Sequence, residues 1–129
     1  MKNELRILKC EKCGALVEEL IPCTCENCGI KCCGETMQLL VANEADGAKE
    51  KHVPVYEIIE DEIFVKVGEV AHPMTKEHFI MWNAMVTDNK IEKVIMYPEQ
   101  DAAVRFKYVP GAKVYAYCNL HGLYAVEVK

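Results

Sequence analysis

The chain has 129 residues, 51% of them apolar and 27% charged, with a net charge of −5. That length accommodates one ordinary domain, or a small unit beside a modest one, and excludes two full-sized cores. The ordinary composition and negative charge exclude a disordered chain, a collagen-like chain and a basic nucleic-acid-binding stripe.

One residue type departs from the average. There are eight cysteines, and seven of them lie between Cys10 and Cys33. Residues 1–9, Met-Lys-Asn-Glu-Leu-Arg-Ile-Leu-Lys, lack the apolar stretch of a signal peptide, and nowhere does the sequence approach the roughly 18 apolar residues of a membrane span. A cytoplasmic protein with no membrane or nucleic-acid partner is the expectation. In a reducing compartment, clustered cysteines point to metal ligands or redox thiols more than to structural disulfides. Gly14, Gly29 and Gly34 each follow a cysteine directly, as suits tight turns that aim backbone N–H groups at thiolate sulfurs. Residues 42–51 are polar with small side chains and read as a connector.

Beyond the connector the pattern is that of strands. Apolar or β-branched runs occur at about 53–59, 63–67, 79–87, 91–97, 104–108, 113–118 and 123–128. In two of them the alternation is explicit: Ile63, Val65 and Val67 against Phe64 and Lys66, and Val104, Phe106 and Tyr108 against Arg105 and Lys107. Turn signals at His72-Pro73, Asp88-Asn89, Tyr97-Pro98 and Pro110-Gly111 separate the runs. About seven short strands at this spacing predict an immunoglobulin-like antiparallel β-sandwich, mainly β with little helix.

All four histidines, His52, His72, His78 and His121, fall in this β-rich part, three of them beside turns. Taken singly, each reads most simply as a surface or core residue. Together with Cys118, in the motif Cys118-Asn119-Leu120-His121, they form a candidate metal set drawn from loops between strands. Four imidazoles and a thiolate over-supply tetrahedral zinc. Blue copper uses two histidines, a cysteine and a weak axial methionine, and no methionine follows His121. Iron accepts five such ligands and keeps one position open, which suits chemistry on a substrate.

Three segments carry a family resemblance: Glu50-Lys51-His52-Val53-Pro54-Val55; His72-Pro73-Met74-Thr75-Lys76-Glu77-His78-Phe79-Ile80 with Trp82; and Tyr117-Cys118-Asn119-Leu120-His121-Gly122-Leu123. They resemble the signature segments of superoxide reductases. Cys10-x-x-Cys13-Gly14 and Cys32-Cys33-Gly34-Glu35-x-Met37 are similar to the desulforedoxin-like domain of the two-iron members, the desulfoferrodoxins. The resemblance implies a desulforedoxin-like metal domain over residues 1–40, a connector over 41–51 and a superoxide reductase β-sandwich over 52–129. It implies a mononuclear non-haem iron held by His52, His72, His78 and His121 with Cys118 as axial thiolate. The implied reaction is the one-electron reduction of superoxide to hydrogen peroxide, with rubredoxin or a similar protein as donor and a homodimer as the assembly. Glu50 and Lys51 resemble the family's mobile acid and base pair, Lys51 attracting the anion and Glu50 covering the sixth position of the ferric state. As residues alone, Lys49-Glu50-Lys51 read as solvated charges.

For the N-terminal cluster the resemblance implies an iron bound by Cys10, Cys13, Cys32 and Cys33, with zinc as the other candidate metal. The spacing also offers two knuckles, Cys10-x-x-Cys13-Gly14 and Cys25-x-x-Cys28-Gly29, of the kind seen in rubredoxins and zinc ribbons. Cys23, Cys25 and Cys28 depart from the family pattern, as loop thiols, a disulfide or ligands of an altered site. Two further functional readings stand beside the enzyme: a two-iron electron-transfer protein with no substrate of its own, and a zinc-ribbon interaction module on a β-sandwich.

Overall fold

The computed structural model describes residues 3–26, 29–44, 52–68 and 72–129. The chain divides into two compact units, Glu4–Val41 and a larger one in which Ala42–Lys129 is joined by the N-terminal residues up to Asn3. Among the described residues all regular structure is β, and no helix is long and apolar enough to cross a membrane.

In the N-terminal unit β1 (Ile7–Lys9) pairs antiparallel with β2 (Leu16–Glu18). β3 (Lys31–Cys32) and β4 (Glu35–Thr36) form a hairpin, and β5 (Gln38–Leu39) takes the other edge of β1. The core is small: Leu8, Cys10 and Met37, with Cys32 packed on it. A unit of under about 40 residues seldom buries enough apolar surface to be stable without a cross-link or a metal. The cysteines are therefore part of the fold's energetics as well as of its chemistry.

The second unit holds β6 (Pro54–Ile59), β7 (Glu62–Val67), β8 (Ile80–Val86), β9 (Ile91–Ile95), β10 (Ala103–Lys107), β11 (Lys113–Cys118) and β12 (Gly122–Glu127). They form a three-stranded sheet, β10-β7-β6, and a four-stranded sheet, β12-β11-β8-β9, with antiparallel neighbours throughout. Period-two patterning sends Ile63, Val65 and Val67 inward, each at most 1% exposed, while Lys66 faces solvent. Ile63, Val65 and Phe106 of one sheet meet Met85 and Val114 of the other in a shared core. This is the face-to-face packing of a sandwich.

Two local departures from the sequence pattern have physical causes. β9 stops at Ile95, short of the expected 97: Tyr97 precedes Pro98, and its N–H donates to Gln100 Oε1 at 3.3 Å instead of continuing the ladder. Asn43, within the expected connector, docks onto β12. Its N–H donates to Leu123 O, and Ala125 N–H donates to Asn43 O, both at 2.9 Å. Residues 45–51, which include Glu50 and Lys51, lie outside the described residues.

Candidate metal centres

In the C-terminal unit the ligand atoms of His52, His72, His78 and Cys118 all lie within 4.8 Å of one another. The four imidazoles make a closed ring. Centroid separations are 4.6 Å from His52 to His72, 4.7 Å from His72 to His78, 5.1 Å from His78 to His121 and 4.7 Å from His121 to His52. The separation between His52 and His78, across the ring, is longer at 6.3 Å. Four near-equal sides and a longer diagonal describe a rough square. Cys118 approaches it with its Sγ 3.6 Å from His121 Nδ1.

The backbone explains how residues so far apart in sequence converge. β8 and β11 pair Tyr117 with Trp82 and then Cys118 with Ile80, so the register slips by one residue beside Met81. A bulge of this kind re-aims the side chain that follows it, here the Cys118 thiol. Cys118 itself is fully buried among Val67, Ile80, Met96 and Ala116. A three-residue turn, 119–121, then connects β11 to β12 and closes on Gly122 at φ +94°, a conformation glycine adopts without steric cost. That turn returns His121 to the side of Cys118.

The remaining ligand loops are held by hydrogen bonds. His72 Nδ1 lies 2.7 Å from Pro73 O. When the Nδ1 proton makes this bond, Nε2 is left as the lone-pair donor, the usual orientation of a metal-binding imidazole. Around His78, Thr75 and His78 exchange backbone hydrogen bonds of 2.9 and 3.2 Å. Asn119 brackets the same residue from both sides. Its Oδ1 accepts from Phe79 N at 3.0 Å, and its Nδ2 donates to Glu77 O at 3.0 Å. Tyr124 stacks on His52 at 4.7 Å with an interplanar angle of 16°.

Burial is graded across the site. His52, His72 and Cys118 are buried, His78 is half-buried and His121 is exposed. The sulfur thus forms a closed floor, and access to the imidazole square comes from the His78 and His121 side. The donor set fits a resident metal: four imidazoles and the Cys118 sulfur converge, with no acidic side chain joining them among the described residues, a composition suited to iron and in excess of what tetrahedral zinc takes.

In the N-terminal unit the sulfurs of Cys10, Cys13, Cys32 and Cys33 lie within 4.8 Å of one another. Cys13 Sγ is 3.6 Å from Cys32 Sγ, which is 3.9 Å from Cys33 Sγ. Adjacent residues of a strand point to opposite faces. Cys32 and Cys33 nonetheless meet because Cys33 and Gly34 form the two-residue turn of the β3–β4 hairpin, with φ of +54° and +77°. On the other side Gly14, at φ +79°, closes the 10–14 turn by donating its N–H to Cys10 O at 2.9 Å. The Cys13 N–H aimed at the Cys10 sulfur is the main reason its pKa falls from 9.0 to about 7. Cys32 is pushed up to about 12, first by its thiol hydrogen bond with Cys13 and then by those with Cys10 and Cys33. With the Cys10 thiol ionising early and those of Cys32 and Cys33 held protonated, the four sulfurs would gather their full negative charge only around a bound cation.

Among the described residues Cys25 is not part of that cluster. It lies on the 21–26 loop with its Sγ 3.7 Å from that of Cys23, and Cys28 lies outside the described residues. Sequence reasoning overlooked Asn119 and Tyr124. Asn119 had a readable signal, since asparagine favours turns and sits inside the Cys-x-x-His motif. Tyr124 had none beyond its place in an apolar run.

Comparison with known proteins follows the same residues. Residues 44–127 match the desulfoferrodoxin family. The chain is 44% identical over 128 residues to a desulfoferrodoxin of Syntrophotalea carbinolica, covering 98% of this chain and 99% of that one. The chain belongs to the desulfoferrodoxin family. It is also 41% identical over 129 residues to a desulfoferrodoxin of Nitratidesulfovibrio vulgaris, again covering 98% and 99% of the two chains. Its fold matches the crystal structure of the superoxide reductase from Treponema pallidum with a TM-score of 0.75 and 28% identity, covering 96% of this chain and 98% of that one. The family match spans the unit that carries the imidazole square, and the two relatives extend it over the cysteine cluster.

Proposed function

We propose that the chain is a superoxide reductase that reduces superoxide to hydrogen peroxide, consuming one electron and two protons. The observation that carries this reading is the square of four imidazoles over the buried Cys118 sulfur, exposed to solvent at His121 and partly at His78. In this reading His52, His72, His78, His121 and Cys118 hold the catalytic iron, and Cys10, Cys13, Cys32 and Cys33 hold a second iron. Bound iron supplies the one-electron reduction of the anion.

The protein's own residues supply the rest. Cys118, fully buried, places negative charge in a low-dielectric floor where it acts at full strength on the metal site above it. The tautomer of His72 is set by Pro73 O, and Asn119 holds the His78 backbone. The buried sides exclude water from below and admit a small anion from above. To Lys51 and Glu50, which directly precede His52, the proposal gives the anion-attracting and face-covering roles; a local cation matters because the net charge of −5 repels superoxide. A rubredoxin-type donor, a homodimer and a cytoplasmic location complete the reading. An electron-transfer role without a substrate leaves the solvent-open face of the square without a purpose.

The decisive experiment is metal analysis with optical spectra of oxidised and reduced protein, followed by pulsed superoxide. Iron in both sites, a thiolate charge-transfer band that disappears in Cys118→Ser, and oxidation of the ferrous protein by superoxide are expected. Zinc alone, or a ferrous protein inert to superoxide, would sink the reading. Lys51→Ala should slow capture several-fold at low salt with iron retained, and the difference should shrink as salt screens the charge.

A further inference from the structure

β8 carries one polar residue in an otherwise apolar run, Ile80-Met81-Trp82-Asn83-Ala84-Met85-Val86. Asn83 is 0% exposed, and neither its Nδ2 nor its Oδ1 has a hydrogen-bond partner among the described residues. Burying an amide in that state is costly, and native proteins satisfy such a group with an ordered water where no protein group is in reach.

The strand register shows what stands beside it. Asn83 pairs with Ala116 of β11 on one side and with Val94 of β9 on the other. Both neighbours belong to the apolar cluster around Cys118. Ala116 and Cys118 are two residues apart on β11 and pack into that same cluster, so Cys118 is a diagonal cross-strand neighbour of Asn83, at a Cβ separation of about 7–8 Å. Strand side chains stand roughly perpendicular to their sheet, which keeps the two tips apart. Two hydrogen bonds of about 3 Å each, made by one water, span such a gap. Ala116, beside both residues, takes little of that space with its single methyl group.

We propose that Asn83 is a positioning residue of the metal centre, its amide holding a buried water that donates an O–H to the Cys118 sulfur. Asn83 acts only through Cys118. A hydrogen bond to a metal-bound thiolate draws electron density from the sulfur, which favours the reduced metal and raises the energy of the sulfur-to-metal charge transfer. A bridging water does this nearly as well as a direct bond. The inference rests on the proposed iron at this site.

The iron-loaded full-length chain and its Asn83→Leu and Asn83→Ser variants are compared by iron content, charge-transfer band and redox titration, beside a high-resolution crystal structure of the parent. Leucine keeps the branched shape and removes the polarity. Its band is expected at longer wavelength, and its ferric-to-ferrous ratio at a fixed applied potential about tenfold higher, the size of one hydrogen bond to a charged group. Iron content should equal the parent's. Asn83→Ser, which keeps a hydroxyl to hold the water, should lie near the parent in both readouts. The crystal structure should show a water within hydrogen-bond distance of both the Asn83 amide and the Cys118 sulfur. An unmoved band with a ratio within about twofold of the parent in Asn83→Leu overturns the proposal, as does a dry interior around Asn83 or a direct contact between amide and sulfur. If the leucine variant does not fold, or the parent takes up no iron, the crystal structure decides. No readout uses superoxide, so a parent that binds iron but is inert to superoxide refutes the functional reading and leaves the result on Asn83 standing.

Discussion

Replacing Asn119 by alanine tests whether the loop carrying Cys118 and His121 is mechanically tied to the one carrying His78. The side chain makes two hydrogen bonds of 3.0 Å, one part-buried to Phe79 N–H and one exposed to Glu77 O. A part-buried bond contributes about 1 kcal/mol and an exposed one about 0.5 kcal/mol, so the loss is about 1.5 kcal/mol. For a domain of this size that corresponds to a fall in melting temperature of about 6–12 °C. Trp82 is the only tryptophan in the chain and lies in β8, stacked on Tyr117 at 5.7 Å, so its fluorescence follows this unit separately from the N-terminal one. Thermal unfolding of metal-free protein gives the intrinsic cost, and the loaded protein adds the loss of metal affinity, about 10- to 100-fold for a residue that orients ligands. Asn119→Asp, which keeps the acceptor and loses the donor, should fall between the two. If Asn119→Ala melts within about 2 °C of the parent and binds metal equally well, the loops are positioned by something else and the clamp is incidental.

Gly122→Ala should destabilise the same unit by roughly 1–2 kcal/mol even though the space around the position is open, because the cost is the backbone conformation at φ +94°; Gly122→Asn should recover part of it. An alanine variant as stable as the parent in Trp82-detected unfolding would refute this. Cys32→Ser should abolish the N-terminal metal while leaving the spectrum of the C-terminal centre intact; retention of that metal would transfer the assignment to Cys25 and Cys28. The pH dependence of metal uptake by the apo N-terminal unit follows from Cys10. Its pKa is lowered from 9.0 to about 7, so the thiolate is populated above about pH 7 and lost as pH falls through that value, while Cys32 keeps its proton to about 12. Uptake measured by stopped-flow absorbance should therefore accelerate with rising pH around 7; a midpoint near 9 would show that Cys10 does not initiate binding.

The strands were legible because a period of two in burial writes itself directly into composition, as at Ile63, Val65 and Val67. Their ends were less so. Whether β9 continues past Ile95 depends on where the Tyr97 N–H finds an acceptor, and that acceptor, Gln100, belongs to a later turn. The N-terminal strands left little trace, since segments of two or three residues are too short to show a period.

The sequence by itself determined the donor chemistry: four histidines, one distant cysteine and a cysteine cluster with glycines at its turns, in an order that carries the family resemblance. Only the tertiary structure decided which donors meet. The slipped register between Tyr117 and Cys118 and the glycine-closed turn at 119–122 bring Cys118 and His121 beneath and beside imidazoles at least 40 residues away, while a hairpin turn with two positive φ angles swings Cys33 round to Cys32. It also set apart Cys23 and Cys25, identical in type to the clustered ligands, on an exposed loop of their own. Residue type fixes what an atom can bind, but backbone dihedrals and strand register fix where that atom is, and a metal centre needs both.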